Sequence, residues 1–186
     1  MSNVHPLIAD RRSPRAYSDA AVSHEQVMTL LEAARWAPSA YNVQPWRFVV
    51  FEKSADTAMF ERAFATLVPF NQSWNWNAQV LIAVLADTLT AKGTANPTAS
   101  YDAGAASMSL LLQAHALGLA AHAMSGFDGE ALRASFEIPE RYAVLSIISV
   151  AHHGDVASLP EGLAERERAP RERLAIEKVA GFGRWI

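Results

Sequence analysis

Apolar positions along the chain fall into alternating helical and strand-like stretches. Val27, Leu30, Leu31 and Ala34 recur at three- and four-residue spacing, which predicts a helix with one buried face. Ser23 precedes them with Gln26 three residues on, a capping box that sets the helix start. Pro38 lies just past the helix, so Ser39 to Gln44 is expected to be an ordered loop. Phe48 to Phe51 is a short apolar run, read as a strand, and Ala55 to Leu67 reads as a helix. Pro69 to Asn77 is aromatic and amide-rich and follows no clear period. Gln79 to Ala86 is a run with the character of a buried strand.

Beyond it, Asp87 to Thr98 is polar, carries Gly93 and Pro97, and reads as a mobile loop. Tyr101 to Leu117 predicts the longest helix, with Met108, Leu111, Leu112, His115 and Leu119 on one stripe and Gly118 at its end. Ala120 to Met124 suggests a short strand, Asp128 caps a helix through Phe136, and Ala143 to Ala151 is another apolar strand. Pro160 to Arg173 is charged and reads as irregular, and a short tail runs to Ile186. Residues 103 to 124 are nearly uncharged and approach the length of a membrane span. Gln113, His115 and His122 interrupt them, so a helix buried on most sides, at a subunit interface, is the better reading.

Strands and helices interleave, but no Gly-x-Gly-x-x-Gly follows a strand, so a dinucleotide-binding Rossmann site is unsupported. There is no phosphate-binding P-loop, no Gly-x-Ser-x-Gly elbow, no repeat and no linker. The expectation is one domain over residues 1–186. Hydrophobic residues make up 51% of the chain, enough for a full core, and the formal charge of -3 gives no general attraction to nucleic acid or anionic membranes. Any cationic site must be local. The absence of cysteine excludes disulfides, thiolate nucleophiles and thiolate metal centres. The first residues carry no secretory signal, and a cytoplasmic location is expected.

Two short segments concentrate the candidate chemistry. Arg11-Arg12-Ser13-Pro14-Arg15 places three guanidiniums and a hydroxyl within five residues. Arg binds phosphate through a planar fork of donors, and alternation puts Arg11, Ser13 and Arg15 on one face of an extended segment, with Arg12 turned away. A second basic stretch, Arg166-Glu167-Arg168-Ala169-Pro170, alternates in the same way and sets Arg166 and Arg168 on one side. Pro38-Ser39-Ala40-Tyr41-Asn42-Val43-Gln44-Pro45-Trp46 carries the side-chain amides of Asn42 and Gln44, each a donor and an acceptor. Such groups match the edge of a flat heterocycle, and flavin mononucleotide (FMN) is the leading candidate for a phosphorylated, ring-bearing cofactor. The adjacent pair His152-His153 would point to opposite faces of a strand and is a poor chelate for one metal.

The Arg-x-Ser-x-Arg start, the helix after it and Pro-Ser-Ala-Tyr-Asn-Val-Gln-Pro-Trp resemble the FMN-dependent nitroreductase superfamily. Asn71 stands before the Val80 to Leu85 strand where that family places a ring-binding Asn. Leu117-Gly118-Leu119, Ser125-Gly126-Phe127 and the late Arg166-x-Arg168-x-Pro170 follow in the expected order. The resemblance implies an α+β fold, a central, mostly antiparallel sheet flanked by helices, and an intertwined homodimer. It implies that Arg11, Ser13, Arg166 and Arg168 hold the FMN phosphate, that Arg15 reaches the ribityl chain or the pyrimidine edge, and that Arg12 belongs to the wider cofactor-binding set. Asn71 would bond the ring, and the Ser125–Gly126 backbone would lie beside flavin N5. Pro38, Ser39, Ala40 and Asn42 would reach the flavin from the partner subunit, with Gln44 a further cofactor-binding candidate. Tyr41 and Phe70 are candidates for the substrate pocket or for packing.

Two departures from the family pattern stand out. Ser125 occupies a position where many members carry Glu, and Trp74 one where a cation is frequent; Arg15 is then expected to supply the charge. The implied activity is transfer of electrons from NADH or NADPH to nitroaromatics, quinones or related small molecules in a ping-pong order, with no side-chain acid or base required. The alternatives are use of reduced FMN on another metabolite, by enal or aldehyde reduction or dehalogenation, or flavin binding without turnover. No metal, nucleic-acid or membrane partner is expected.

Overall fold

The computed structural model describes residues 3–186. Four strands, β1 (Trp46–Glu52), β2 (Val80–Asp87), β3 (Leu119–Met124) and β4 (Tyr142–His152), form one sheet in the order β1-β2-β4-β3. Every neighbouring pair is antiparallel, and the β2–β4 register skips Leu145 between Val84 and Leu85. β1 and β3 are the two edges.

Strand β2 is buried along its whole length, which is why its sequence is apolar without alternation. Val80, Ile82, Val84 and Ala86 face one core, beneath α2 (His24–Arg35) and α5 (Ala99–Ala116). Leu81, Ala83 and Leu85 face the other, covered by α3 (Thr57–Ala65), α4 (Pro69–Asn75), α6 (Gly129–Ser135) and α7 (Glu161–Arg168). A one-turn helix, α1 (Pro6–Ala9), lies near the N-terminus. The α+β architecture and the antiparallel sheet agree with the sequence expectation.

The capping box on α2 forms as expected: Ser23 Oγ accepts from Gln26 N, and Gln26 Oε1 accepts from Ser23 N. Other elements depart from expectation. Residues 69–77, which showed no period, contain α4, because its inward positions are Asn71, Trp74 and Asn75. Two amides on a buried face hide the helical spacing. Residues 160–173, read as irregular, begin with α7. Only Leu163 and Ala164 are buried there, while Glu161 in the first turn and Arg166 and Arg168 in the last complement the helix dipole. The loop after β2 is ordered by its own ladder: Thr90 N donates to Thr94 O at 2.7 Å and Asn96 N to Thr88 O at 2.7 Å. On α5 the inward face is Ala99, Ala103, Ala106, Leu110 and Ala114 rather than the expected stripe. Small residues let α5 lie close on the sheet, and Met108, Leu111 and Leu112 are left partly exposed. No helix among the described residues is long and apolar enough to cross a membrane.

Candidate functional site

The arginine segment is led to the sheet by a tight crossing. Ser18 N donates to His152 O at 3.0 Å and Gly154 N to Ala16 O at 2.8 Å, extending β4 onto the N-terminal strand of chain. A Cβ on Gly154 would lie 2.4 Å from the Tyr17 carbonyl carbon, so only glycine admits this approach. Tyr17 is anchored below by a 2.8 Å hydrogen bond with Ser149, both buried. Residues 11–15 therefore run out of the sheet at a fixed angle and meet the end of α7.

There they line a cleft of about 280 Å³ with Arg11, Arg12, Ser13, Arg15, Arg166, Arg171 and Arg173. Burial first, and then the guanidiniums of Arg171 and Arg173, holds Arg11 below its usual range. Like charges crowded in this way make a ready site for an anion. Arg12 does not turn away from the site. It donates to the carbonyls of Glu167 and Ala169 at 2.9 and 3.0 Å and so locks the end of α7 to the segment. Arg15 is held by Glu167, which accepts from its backbone N–H at 3.0 Å and lies 3.9 Å from its guanidinium. The buried Arg15 Nε has no partner. Arg166 lines the cleft, whereas Arg168 is not among the lining residues. The alternation read from sequence assumed an extended chain; on a helix these two residues point about 160° apart.

A second cleft, of about 290 Å³, is lined by Val68, Phe70, Asn71, His122, Ala123, Met124, Ser125 and Gly126. The Gly126 carbonyl accepts from Asn71 Nδ2 at 2.9 Å and from Val68 N at 3.1 Å. Asn71 thus fixes the Gly126 backbone rather than standing free. A Cβ on Gly126 would come within 2.6 Å of Asn71 Nδ2, so a side chain there would have to displace the Asn71 amide. The Gly126 N–H has no hydrogen-bond partner among the described residues. Trp74 is buried beneath the site, with the Arg15 guanidinium 5.7 Å from its ring centroid. The Arg15 guanidinium thus lies over the tryptophan that stands where a cation is frequent in the family.

His122 belongs to both clefts and was missed as a site residue from sequence. It lies on β3, on the face shared with Ala120 and Met124. Its ring packs 4.7 Å from that of Trp74, and its Nδ1 is 3.2 Å from the Pro14 carbonyl. Burial, and secondarily Arg15, pushes its pKa down to about 4, so the imidazole is neutral at pH 7. The available signal was alternation: two residues before Met124 on an edge strand, it had to share that residue's face.

Pro38, Ser39, Ala40, Asn42 and Gln44 line neither cleft. Their loop precedes β1, the opposite edge of the sheet. It is nonetheless tightly shaped. Tyr41, Asn42 and Gln44 adopt φ of 51°, 56° and 51°. Ser39 Oγ accepts from Gln44 N at 3.0 Å, and the buried Asp102 carboxylate accepts from Ala40 N at 3.2 Å. Left-handed backbone at three non-glycine residues is uncommon and clusters at functional sites. Tyr41 is fully exposed, and Phe70 forms an exposed wall of the second cleft.

Residues 8–152 match the model of the Nitroreductase family. The chain belongs to that family. The match ends before the late arginines, so the α7 side of the cleft lies beyond it. Across its whole length the chain superposes on an oxidoreductase described as containing FMN, with TM-score 0.93, 39% identity and 94% of that protein covered. A Desulfovibrio desulfuricans protein, provisionally named a nitroreductase and solved in complex with FMN, is 31% identical with TM-score 0.73, over 92% of this chain and 91% of that one. An Archaeoglobus fulgidus protein, provisionally named an NADH dehydrogenase/NAD(P)H nitroreductase, is 35% identical over 80% of this chain and 84% of its own length. This family membership accords with the fold and with the order of motifs along the sequence.

Proposed function

We propose that the protein is an FMN-dependent oxidoreductase that takes electrons from NADH or NADPH and reduces electron-poor small molecules, nitroaromatics and quinones among them, as a homodimer. The observation that carries this reading is the pair of adjoining clefts joined at His122, one rich in guanidiniums and the other offering a free backbone N–H. Their donor sets fit the two ends of FMN. The crowded arginines suit a phosphate, and the unpartnered Arg15 Nε awaits an acceptor.

When bound, FMN would supply the redox chemistry, accepting a hydride equivalent from the nicotinamide and returning it to the acceptor in a separate half-reaction. The chain's part is to bind, orient and tune. Arg11, Ser13 and Arg166 would hold the phosphate, with Arg12 acting through α7. Arg15 puts a positive charge near the join of the clefts, where it would stabilise negative charge on a bound flavin. The Gly126 N–H donates into the second cleft from a turn that Asn71 holds still. Phe70 forms one wall of the second cleft.

Placement supports the homodimer. The arginine and Gly126 clefts sit at the β3 side, while the Asn42–Gln44 loop precedes β1 at the other edge. If both touch one cofactor, the loop comes from a second copy. The test is an anaerobic visible spectrum of the purified protein before and after NADH or NADPH in separate cuvettes. A yellow protein bleached by either donor and re-coloured by a quinone or nitroaromatic is expected. A protein that stays colourless with added FMN overturns the reading.

A further inference from the structure

The joint between the clefts is poor in hydrogen-bond acceptors. Arg11, Arg12, Arg15, Arg166, Arg171 and Arg173 can only donate, and Glu167 is occupied by the backbone and guanidinium of Arg15. The acceptors that remain are the Ser13 hydroxyl, which already accepts from Arg11 at 3.3 Å, and His122. Its Nδ1 faces the Pro14 carbonyl, which can only accept, so Nδ1 carries the proton. The Ser13 carbonyl also lies against the ring, but Nε2 itself makes no hydrogen bond among the described residues, so its lone pair can accept. The ring cannot swing away, because Trp74 packs against it. A neutral tautomer is maintained by burial and by Arg15, whose charge opposes a second proton.

We infer that His122 is a cofactor-binding residue whose Nε2 accepts a hydrogen bond from a hydroxyl of the polyol chain linking the phosphate to the ring. This rests on the flavin reading above and adds to it a selectivity for hydroxylated chains. A phosphate alone satisfies the arginines and the ring alone satisfies the Gly126 cleft. Only the connecting chain brings O–H donors, and His122 sits where the two clefts meet. Without such an acceptor, a hydroxyl entering between guanidiniums would lose its water partner and gain none.

The test compares two flavins on the full-length apoprotein by quenching of flavin fluorescence. One is FMN. The other is an analogue whose ribityl chain is replaced by an ω-phosphorylated alkyl chain lacking hydroxyls. Two variants are used. His122→Asn keeps an amide donor near the Nδ1 position for Pro14 but has nothing at the Nε2 position; His122→Phe keeps the ring packing alone. Wild-type protein should prefer FMN over the analogue, and the preference should fall roughly tenfold in both variants, with analogue affinity nearly unchanged in His122→Asn. If both flavins weaken by the same factor, His122 merely props the arginine segment and the inference is overturned. If the wild-type apoprotein binds neither flavin, the flavin reading itself fails, and this inference with it.

Discussion

Arg166 and Arg168 differ by two positions and have different surroundings, because α7 rather than a strand carries them. Arg11→Ala combined with Arg166→Ala should weaken FMN binding by roughly a hundredfold or more, since each charged hydrogen bond is worth about 1.5–3 kcal/mol. Arg168→Ala should have a much smaller effect; titration of apoprotein with FMN distinguishes them. Histidine protonation gives a second prediction. The folded pKa of His122 is depressed to about 4 from the ordinary value of about 6.5. Above pH 6.5 neither state is protonated and stability is unaffected by this group. Between 6.5 and 4 the unfolded chain takes up a proton that the folded chain refuses, so stability falls as pH falls. His153, depressed chiefly by burial, adds in the same direction. Urea midpoints should decline from pH 7.5 to pH 5, less steeply in His122→Asn than in wild type. Gly154→Ala should destabilise by about 1–3 kcal/mol by forcing the N-terminal strand off the sheet, read from denaturant unfolding.

Among the elements, legibility tracked how apolar the buried face is. α2 has Val27, Leu30 and Ala34 inward plus a capping box, and its sequence shows both. α4 buries two amides beside Trp74, and α7 buries only Leu163 and Ala164, too little for a periodicity to show. α5 was legible as a helix but not in orientation: its leucines suggested the core, yet alanines face the sheet because β2 and β4 fill that layer with branched side chains. The two arginine segments were readable as a site because charge type carries the chemistry whatever the backbone does. His122 was not, because its role depends on Pro14 and Trp74, far away in sequence. At this scale the Asp102 carboxylate matters most, joining α5 to the Ala40 N–H and to the Thr98 hydroxyl at 3.1 Å. Asp102→Ala should loosen the left-handed loop and lower stability by about 1–3 kcal/mol, with faster amide exchange at residues 40–44 than in wild type.

At the level of the molecule, the proposed sharing of sites makes activity a property of pairs. A loop-defective chain, Asn42→Ala with Gln44→Ala, and a cleft-defective chain, Arg11→Ala with Arg166→Ala, should each bind little FMN alone. Co-expressed, they should recover flavin in roughly a quarter of all sites, because half the dimers are mixed and each mixed dimer has one intact site. Equal recovery in separately purified, unmixed samples would show that one chain builds the whole site.

The outward side of α5 has a kinetic consequence. Tyr101, Met108 and Leu117 are exposed along or just beyond a helix whose inner face is already full of alanine. If a second copy covers that side, the last step of folding is bimolecular, and a chain emerging from denaturant must find its twin before its leucines find anything else. Regain of flavin binding should then accelerate with protein concentration, while secondary structure returns at a rate that does not.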